Sequence, residues 1–412
     1  MTDIPRSLKR RVSPPPTRKS SKADKAAGIK HEPTPADVEA GQADVVDHVQ
    51  YWHDELSSRK RKFPGGTPCL PLQTYRELYV RNQTDRGCHF VIHQHDHPVS
   101  GVHYDLRLQF SKTSSLSFSI PYGVPGHANS IRPNRMAIET RVHNVWNNLI
   151  ESASHATGSL LIWDTGEYEI RPRPSKTRKN KDTDDELSAT SDHETRSIST
   201  PNLTEPQKLR LAFQDRHIHL RLHSTRLPKN YTLALRLPRQ NFRLHQPRAP
   251  KRRRRHNPFP KPKPSSPETT ASDTDTSLTS TSTAPSSISD EKADLKAAAA
   301  ASDDEDSTRD EREQARIRET NAYPGATNDI GSVHQRQWFM SLDREGSGFV
   351  KGKGRWERRE GKDGELGGFE KFVVGGREVE RSIITGRLAG EVMEDAGVKG
   401  FRGRKMWRAI TE

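Results

Sequence analysis

Cysteine is nearly absent: Cys69 and Cys88 are the only two. That excludes a disulfide scaffold and a Cys-rich zinc site. Aromatic residues make up only 6% and hydrophobic residues only 30%, while charged residues match them at 30%. A chain of 412 residues so poor in apolar groups cannot offset chain entropy along its whole length, so about half of it is expected to be ordered. No apolar run approaches the length of a membrane span, and the first residues carry no signal-peptide core. The expectation is a soluble intracellular protein with no membrane partner. What the chain has in excess is positive charge. Its 68 Lys and Arg against 54 Asp and Glu leave +14, which points to a polyanionic partner.

Organisation follows from shifts in composition. Residues 1–60 are expected to be mostly a disordered basic arm, with nine Lys or Arg between Arg6 and Lys30. A short amphipathic helix closes it, marked by Val45, Val49, Trp52 and Leu56. Residues 70–247 read as one β domain. Apolar and polar residues alternate in short runs over His89–Gln94, His103–Phe110, Leu116–Ile120, Met136–Val142 and Leu160–Asp164, and again from Leu211 to Leu237. The charged, Ser/Thr-rich stretch 171–205 reads as a disordered insertion in that domain. Residues 248–329, which include the basic run Lys251–Arg255, read as a disordered linker. Residues 330–412 recover apolar content, with Trp338, Met340 and Leu342 alternating as in a strand. Val379, Ile383, Leu388 and Val392 are spaced for a helix that ends at Gly397. This segment is expected to pack on the barrel. The fold class is mainly β: a small antiparallel β-barrel with long disordered basic and Ser/Thr-rich segments.

Histidine carries the chemistry. Five of the 18 lie between His89 and His103, in CHFVIHQHDHPVSGVHYDLRLQF. On a strand, His103, Asp105, Arg107 and Gln109 share one face, with alternate side chains roughly 7 Å apart. His93 and His95 share a face of the preceding strand, and a tight connection through Pro98 and Gly101 folds the two together. His95, His103 and Asp105 then converge as two neutral nitrogens and one oxygen, a donor set suited to zinc, manganese or iron. In RMAIETRVHN, alternation puts Glu139, Arg141 and His143 on a common face. If it looks into the same cleft, Arg107, Arg141 and His143 supply the cationic donors that a phosphoryl group needs. His217, His219 and His223 alternate with no carboxylate among them and read as an exposed face. The plainer reading of the whole pattern is the solvated face of an antiparallel sheet.

The stretch FVIHQHDHPVSGVHYDLRLQF, from Phe90 to Phe110, resembles the metal-binding signature of the 3′-phosphoesterase domain of bacterial DNA ligase D. The resemblance continues through LSFSIPYGVP, NRMAIETRVHN, GSLLIWDTGEYEI and HIHLRLHSTRLPKNYTLALRL. With its long inserts and NAYPGATNDIGSVHQRQWF, the whole is similar to fungal stand-alone relatives. The resemblance implies a β-barrel whose groove holds a divalent metal, manganese first and zinc or another ion otherwise. It implies a hydrolase that repairs 3′ ends of DNA by removing a terminal ribonucleoside and then the 3′-phosphate. By motif, His95, His103 and Asp105 match the metal ligands, and Arg107 and His143 match the catalytic residues that contact the phosphate. His93 and Asp96 flank the first ligand. The sequence departs from the family where His95 and His103 stand further apart, at Tyr122 in place of a usual Lys, at Arg141 in place of a usual acid, and in the shortened loop SASHATG. Arg141 is expected to add a phosphate contact.

Two other functions fit the same residues. One is a non-catalytic nucleic-acid end-binding or scaffold protein that keeps the barrel. The other is a non-haem iron oxygenase, since His103, Asp105 and His143 mimic a two-histidine, one-carboxylate triad. Expected partners are DNA 3′ ends, including RNA-containing ones, and repair ligases. The basic clusters Lys9–Arg11 and Lys251–Arg255 suit nuclear residence.

Overall fold

Eight antiparallel pairings define the fold in the computed structural model, which describes residues 34–39, 43, 45–172, 203–241, 315–317, 319–360, 364, 366–404 and 407–411. The basic arm up to residue 33, the bulk of the insertion, the run Lys251–Arg255 and most of the linker lie outside the described residues.

The elements are, in order, α1 (Pro35–Glu39), α2 (His48–Ser58), α3 (Leu72–Arg81), β1 (His89–His97), β2 (Gly101–Gln109), β3 (Ser114–Ile120), β4 (Asn134–Glu139), β5 (His143–Asn144), β6 (Ser152–Ser154) and β7 (Gly158–Ile170). They continue with α4 (Glu205–Gln214), β8 (His217–Ser224), β9 (Thr232–Arg236), β10 (Gln337–Leu342), β11 (Phe349–Lys351), β12 (Trp356–Arg358) and α5 (Ala389–Asp395). Eight strands run β1-β2-β3-β4-β10-β9-β8-β7, and β7 pairs back with β1 to close an antiparallel barrel. Closure leaves no free edge among them. β5 and β6 pair outside this ring with β3 and β7, and β11 and β12 form a separate hairpin.

Alternation explains which residues fill the barrel. Phe90 and Ile92 of β1 face inward with Tyr104, Leu106 and Leu108 of β2, Leu116, Phe118 and Ile120 of β3, and Trp338, Met340 and Leu342 of β10. The strand expected at Trp338–Leu342 is therefore a barrel stave between β4 and β9, although the linker separates it from both in sequence. Outside the barrel, a second apolar cluster covers β1 and β7. Trp52 and Leu56 of α2 and Tyr75, Leu78 and Tyr79 of α3 pack there on Val91, Leu160, Ile162, Ile383 and Ile384. Asp47 caps α2 by accepting from the Gln50 N–H at 3.0 Å.

Three local expectations are corrected. Leu211 lies in helix α4, which buries Leu209, Ala212 and Phe213, so strand structure returns only at His217. Residues 379–388 are not helical. Val379 is exposed, Gly386 adopts φ +74°, and the Ile383 N–H donates across to Ile162 O of β7 at 3.0 Å rather than back along a helix. Only α5 forms there, and Gly397 at φ +70° does follow its end. Finally, His219 is buried rather than exposed. Its Nδ1 lies 3.3 Å from Asp343 Oδ2, a carboxylate supplied from beyond the linker.

Candidate metal and phosphate site

The site lies on the outer face of β1 and β2, beside the helices. The register sets His95 opposite His103 and His93 opposite Asp105, so all four side chains leave the barrel on one face. One ligand atom from each of His95, His103 and Asp105 falls within 4.8 Å of the others. The ring centroids of the two histidines are 4.7 Å apart.

Backbone carbonyls orient both rings. His103 Nδ1 is 2.8 Å from Gly101 O, so its proton goes there and Nε2 turns to Asp105 Oδ1 at 3.6 Å. His95 Nε2 is 2.7 Å from Thr157 O, which leaves Nδ1 facing Asp105 Oδ2 at 3.4 Å. Each ring thus turns its second nitrogen toward the carboxylate, and that nitrogen is the ligand atom once it carries no proton. The Thr157 carbonyl comes from the short loop between β6 and β7. That loop fits because Gly158 has φ +78° and a Cβ there would stand 1.9 Å from Asp96 O.

Electrostatics favour the ligand state of two groups. Burial lowers His103 to about 4, with Asp105 opposing, so the ring is neutral near pH 7. Burial would raise Asp105, but the charges of His103, His95 and Arg107 and the His95 hydrogen bond hold it well below the usual carboxylate range. For His95, burial works downward, and the hydrogen bond and charge of Asp105 outweigh it and lift the pKa. A metal ion at this point would take the place of that proton.

Behind the trio lies a set of buried polar atoms without hydrogen-bond partners: Asp105 Oδ1, both ring nitrogens of His93, Arg107 Nε and His143 Nδ1. Unsatisfied buried groups are costly, and so many together fit a site built for a cation and an anionic ligand. Arg107 is 4% exposed and is steadied by Nη1 donating to Asn147 O at 3.0 Å. His143 feels the charges of Arg107 and Asp105, and burial keeps it well below the ordinary histidine value. His93 is likewise held neutral by burial.

The expected common face of Glu139, Arg141 and His143 does not exist. Ile138 pairs with Ser119 and Glu139 with Phe118, whereas His143 pairs with Ser115, a slip of one residue. An inserted residue flips every later side chain to the other face. Glu139 therefore points into the barrel beside Phe118 and Trp338, while His143 emerges outside with Ser115 and Arg107. Arg141, within the slip, places its guanidinium 5.9 Å from the Tyr323 ring centre. Asp96 leaves β1 on the face opposite His95 and pairs with Arg377 of the C-terminal segment. Tyr122 is exposed.

Two contributors were not foreseen. Glu39 of α1 accepts a hydrogen bond from Ser152 Oγ, and its charge reaches both His95 and Arg107. Tyr323 packs its ring 4.7 Å from that of His143 and is felt by Arg107. Both come from distant segments: no local pattern marks Glu39, and Tyr323 sits in the NAYPGATNDIG stretch without alternation or spacing that ties it to the site.

Residues 93–235 match the family model of the DNA Ligase D 3′-phosphoesterase domain. Over 141 residues the chain is 26% identical to the multifunctional non-homologous end joining protein LigD of Mycolicibacterium smegmatis, covering 31% of this chain. The match spans only 17% of that relative's length. All eight site residues expected from sequence lie inside the matched range, whereas Glu39, Tyr323 and strand β10 lie outside it.

Proposed function

We propose that this protein is a divalent-metal-dependent phosphoesterase that processes 3′ ends of DNA in repair, removing a 3′-phosphate or a 3′-ribonucleotide. The observation that carries this reading is the convergence of two carbonyl-oriented imidazoles and Asp105 beside the unpaired Nε of Arg107 and Nδ1 of His143. His95 Nδ1, His103 Nε2 and Asp105 would hold the ion. The mixed imidazole and carboxylate set suits manganese, with zinc as the alternative. Such an ion supplies Lewis-acid polarisation of a phosphoryl oxygen and acidifies bound water.

The chain's own groups do the rest. Arg107 presents a fixed charge where negative charge gathers on the phosphoryl oxygens. Neutral His143 offers Nδ1 as a hydrogen-bonding atom to the same group or to the attacking water. His93 lies behind the ligands and Asp96 beside the strand end, one as a neutral polar neighbour and the other anchoring Arg377. Arg141 stands at the edge of the site on Tyr323, within reach of a phosphate flank. A 3′-hydroxyl product is what a DNA ligase consumes, so a ligase is the natural functional partner. Lys9–Arg11 and Lys251–Arg255 would serve nuclear import and DNA-backbone contact.

The test is incubation of the full chain with manganese and labelled duplexes ending in a 3′-phosphate or a 3′-ribonucleotide, read on a gel. Shortening or dephosphorylation by wild type that vanishes in Asp105→Ala supports the reading. Metal-dependent end binding with no product at any metal concentration would reassign the barrel to a non-catalytic end-binding role.

A further inference from the structure

At the barrel end that carries the β1–β2 turn, a second feature stands apart from the metal residues. The register places the loop after β3 and the loop after β10 at this same end. There the β11–β12 hairpin stands beside an open cavity of about 500 Å³ lined by Phe349, Trp356, Phe369, Arg358, Lys371 and His127, among others. Phe349 and Phe369 form its apolar floor, their rings 5.0 Å apart edge to face and each 7% exposed. Trp356 is half-buried at its wall. Arg344, which does not line the cavity, covers part of the Trp356 ring at 5.4 Å. Asn129 fixes the hairpin by exchanging two hydrogen bonds with the Trp356 backbone, at 2.7 and 2.8 Å.

The hairpin's charge is one-sided. Lys351, Lys353, Arg355, Arg358 and Arg359 are all exposed, against Glu357 and Glu360. A rigid aromatic slot with a cationic rim is the arrangement that stacks a nucleobase and tracks its phosphates without reading sequence. A small apolar ligand would not need the rim, and a protein partner of ordinary composition would not be selected by it. Glu370 pairs with Arg358 at 3.6 Å but is 90% exposed, so it screens the rim weakly.

We propose that the β11–β12 hairpin and the Phe349–Trp356–Phe369 cavity form a binding site for single-stranded nucleic acid, separate from the metal centre, in which one base stacks on Trp356 while Lys353 and Arg355 hold the backbone. The site rests on aromatic and cationic residues outside the 93–235 match and does not require that the barrel be catalytic.

The experiment uses the full chain carrying Asp105→Asn, in chelator, so that binding is measured with the metal site disabled. The probe is a fluorescein-labelled thymidine homopolymer about ten nucleotides long with a 3′-hydroxyl. Trp356→Ala should weaken binding by roughly 5- to 150-fold, the equivalent of losing one stacked base. Lys353→Ala with Arg355→Ala, both in the exposed turn, should flatten the slope of log K against log salt by about 1.4, the effect of two phosphate contacts. The double variant leaves the aromatic slot untouched, so it reports on the site even if Trp356→Ala loosens the hairpin. Unchanged affinity in Trp356→Ala together with an unchanged salt slope in the double variant overturns the proposal, as does absence of binding by the parent. Neither result bears on turnover at the metal centre, which the gel assay reads separately.

Discussion

Replacing Glu139 by Gln separates two accounts of this residue. Its carboxylate is 0% exposed and accepts from Arg336 Nε at 2.6 Å and Nη2 at 3.2 Å, from Ser332 Oγ at 2.9 Å, from Val333 N at 2.8 Å and from Trp338 Nε1. Five donors converge on two oxygens. An amide offers one acceptor and turns two N–H groups toward donors, so several bonds are lost and the Arg336 charge is left buried without its partner. Breaking a buried pair from one side costs about 3–5 kcal/mol, against a total domain stability of roughly 5–15 kcal/mol. Because Arg336 precedes β10 and Trp338 lies in it, the loss should fall on that stave of the barrel. Urea unfolding followed by tryptophan fluorescence should show the midpoint fall accordingly. Adding Arg336→Met removes the stranded cation, so the double variant should lose less than the two single losses combined. A stability change below about 1 kcal/mol accompanied by loss of phosphoesterase turnover would refute the inward placement and return Glu139 to the cleft.

His89 has its pKa pushed down to about 3 by burial, with Asn148 Nδ2 2.9 Å from Nδ1 and Thr165 Oγ1 3.0 Å from Nε2. The unfolded chain takes a proton below about pH 6.5 that the folded chain refuses, so stability is full above that value and falls toward pH 3 by up to about 1.4 kcal/mol per unit. His89→Gln should flatten the urea midpoint between about pH 7 and pH 5, and an unchanged profile counts against the buried neutral ring. Gly158→Ala should cost at least about 1–2 kcal/mol from its left-handed backbone. By displacing the Thr157 carbonyl from His95 it should also weaken manganese or zinc binding about 10- to 100-fold by calorimetry, and wild-type affinity would show that this carbonyl does not orient the ligand. Tyr323→Ala should lower kcat/KM roughly 3- to 10-fold by unseating Arg141 and His143, while Tyr323→Phe should match wild type; equal rates for all three would remove Tyr323 from the site.

The barrel was legible where each strand has one face in the core and the other in a polar setting. Tyr104, Leu106 and Leu108 against His103, Asp105 and Arg107 is such a case, and the same alternation marks Trp338, Met340 and Leu342. Alternation states that a strand exists and not where it pairs. β10 could be read as a strand, but its insertion between β4 and β9 depends on a long-range register and on the Glu139–Arg336 pair. The helices were less legible. α3 buries Tyr75, Leu78 and Tyr79, and Tyr is amphipathic enough to blur the stripe. Over residues 379–392, helical spacing was mimicked by apolar residues that serve two clusters: Ile383 and Ile384 cover the outside of β1 and β7, while Val392 joins the barrel core.

At the site, the three side chains that converge were legible because two paired strands bring alternate residues to one face. The groups that orient them were not. Thr157 O and Gly101 O are backbone atoms, and no side-chain pattern reports where a carbonyl points. The one-residue slip between Glu139 and His143 was equally silent, yet it decides the chemistry of the stretch. With unbroken pairing, Glu139 and His143 would share a face, and either a carboxylate would confront Arg107 and Asp105 in the groove or an imidazole would be buried among Phe118 and Trp338. The slip resolves this conflict by sending the acid inward, where Arg336 neutralises it, and the imidazole outward, where Arg107 and the metal-ligand trio lie. One inserted residue therefore lets a single stretch of chain complete the barrel wall through β4 and furnish the site through β5, and it leaves Arg141 between them with its guanidinium toward the ring of Tyr323, which lies in the segment read from sequence as a disordered linker.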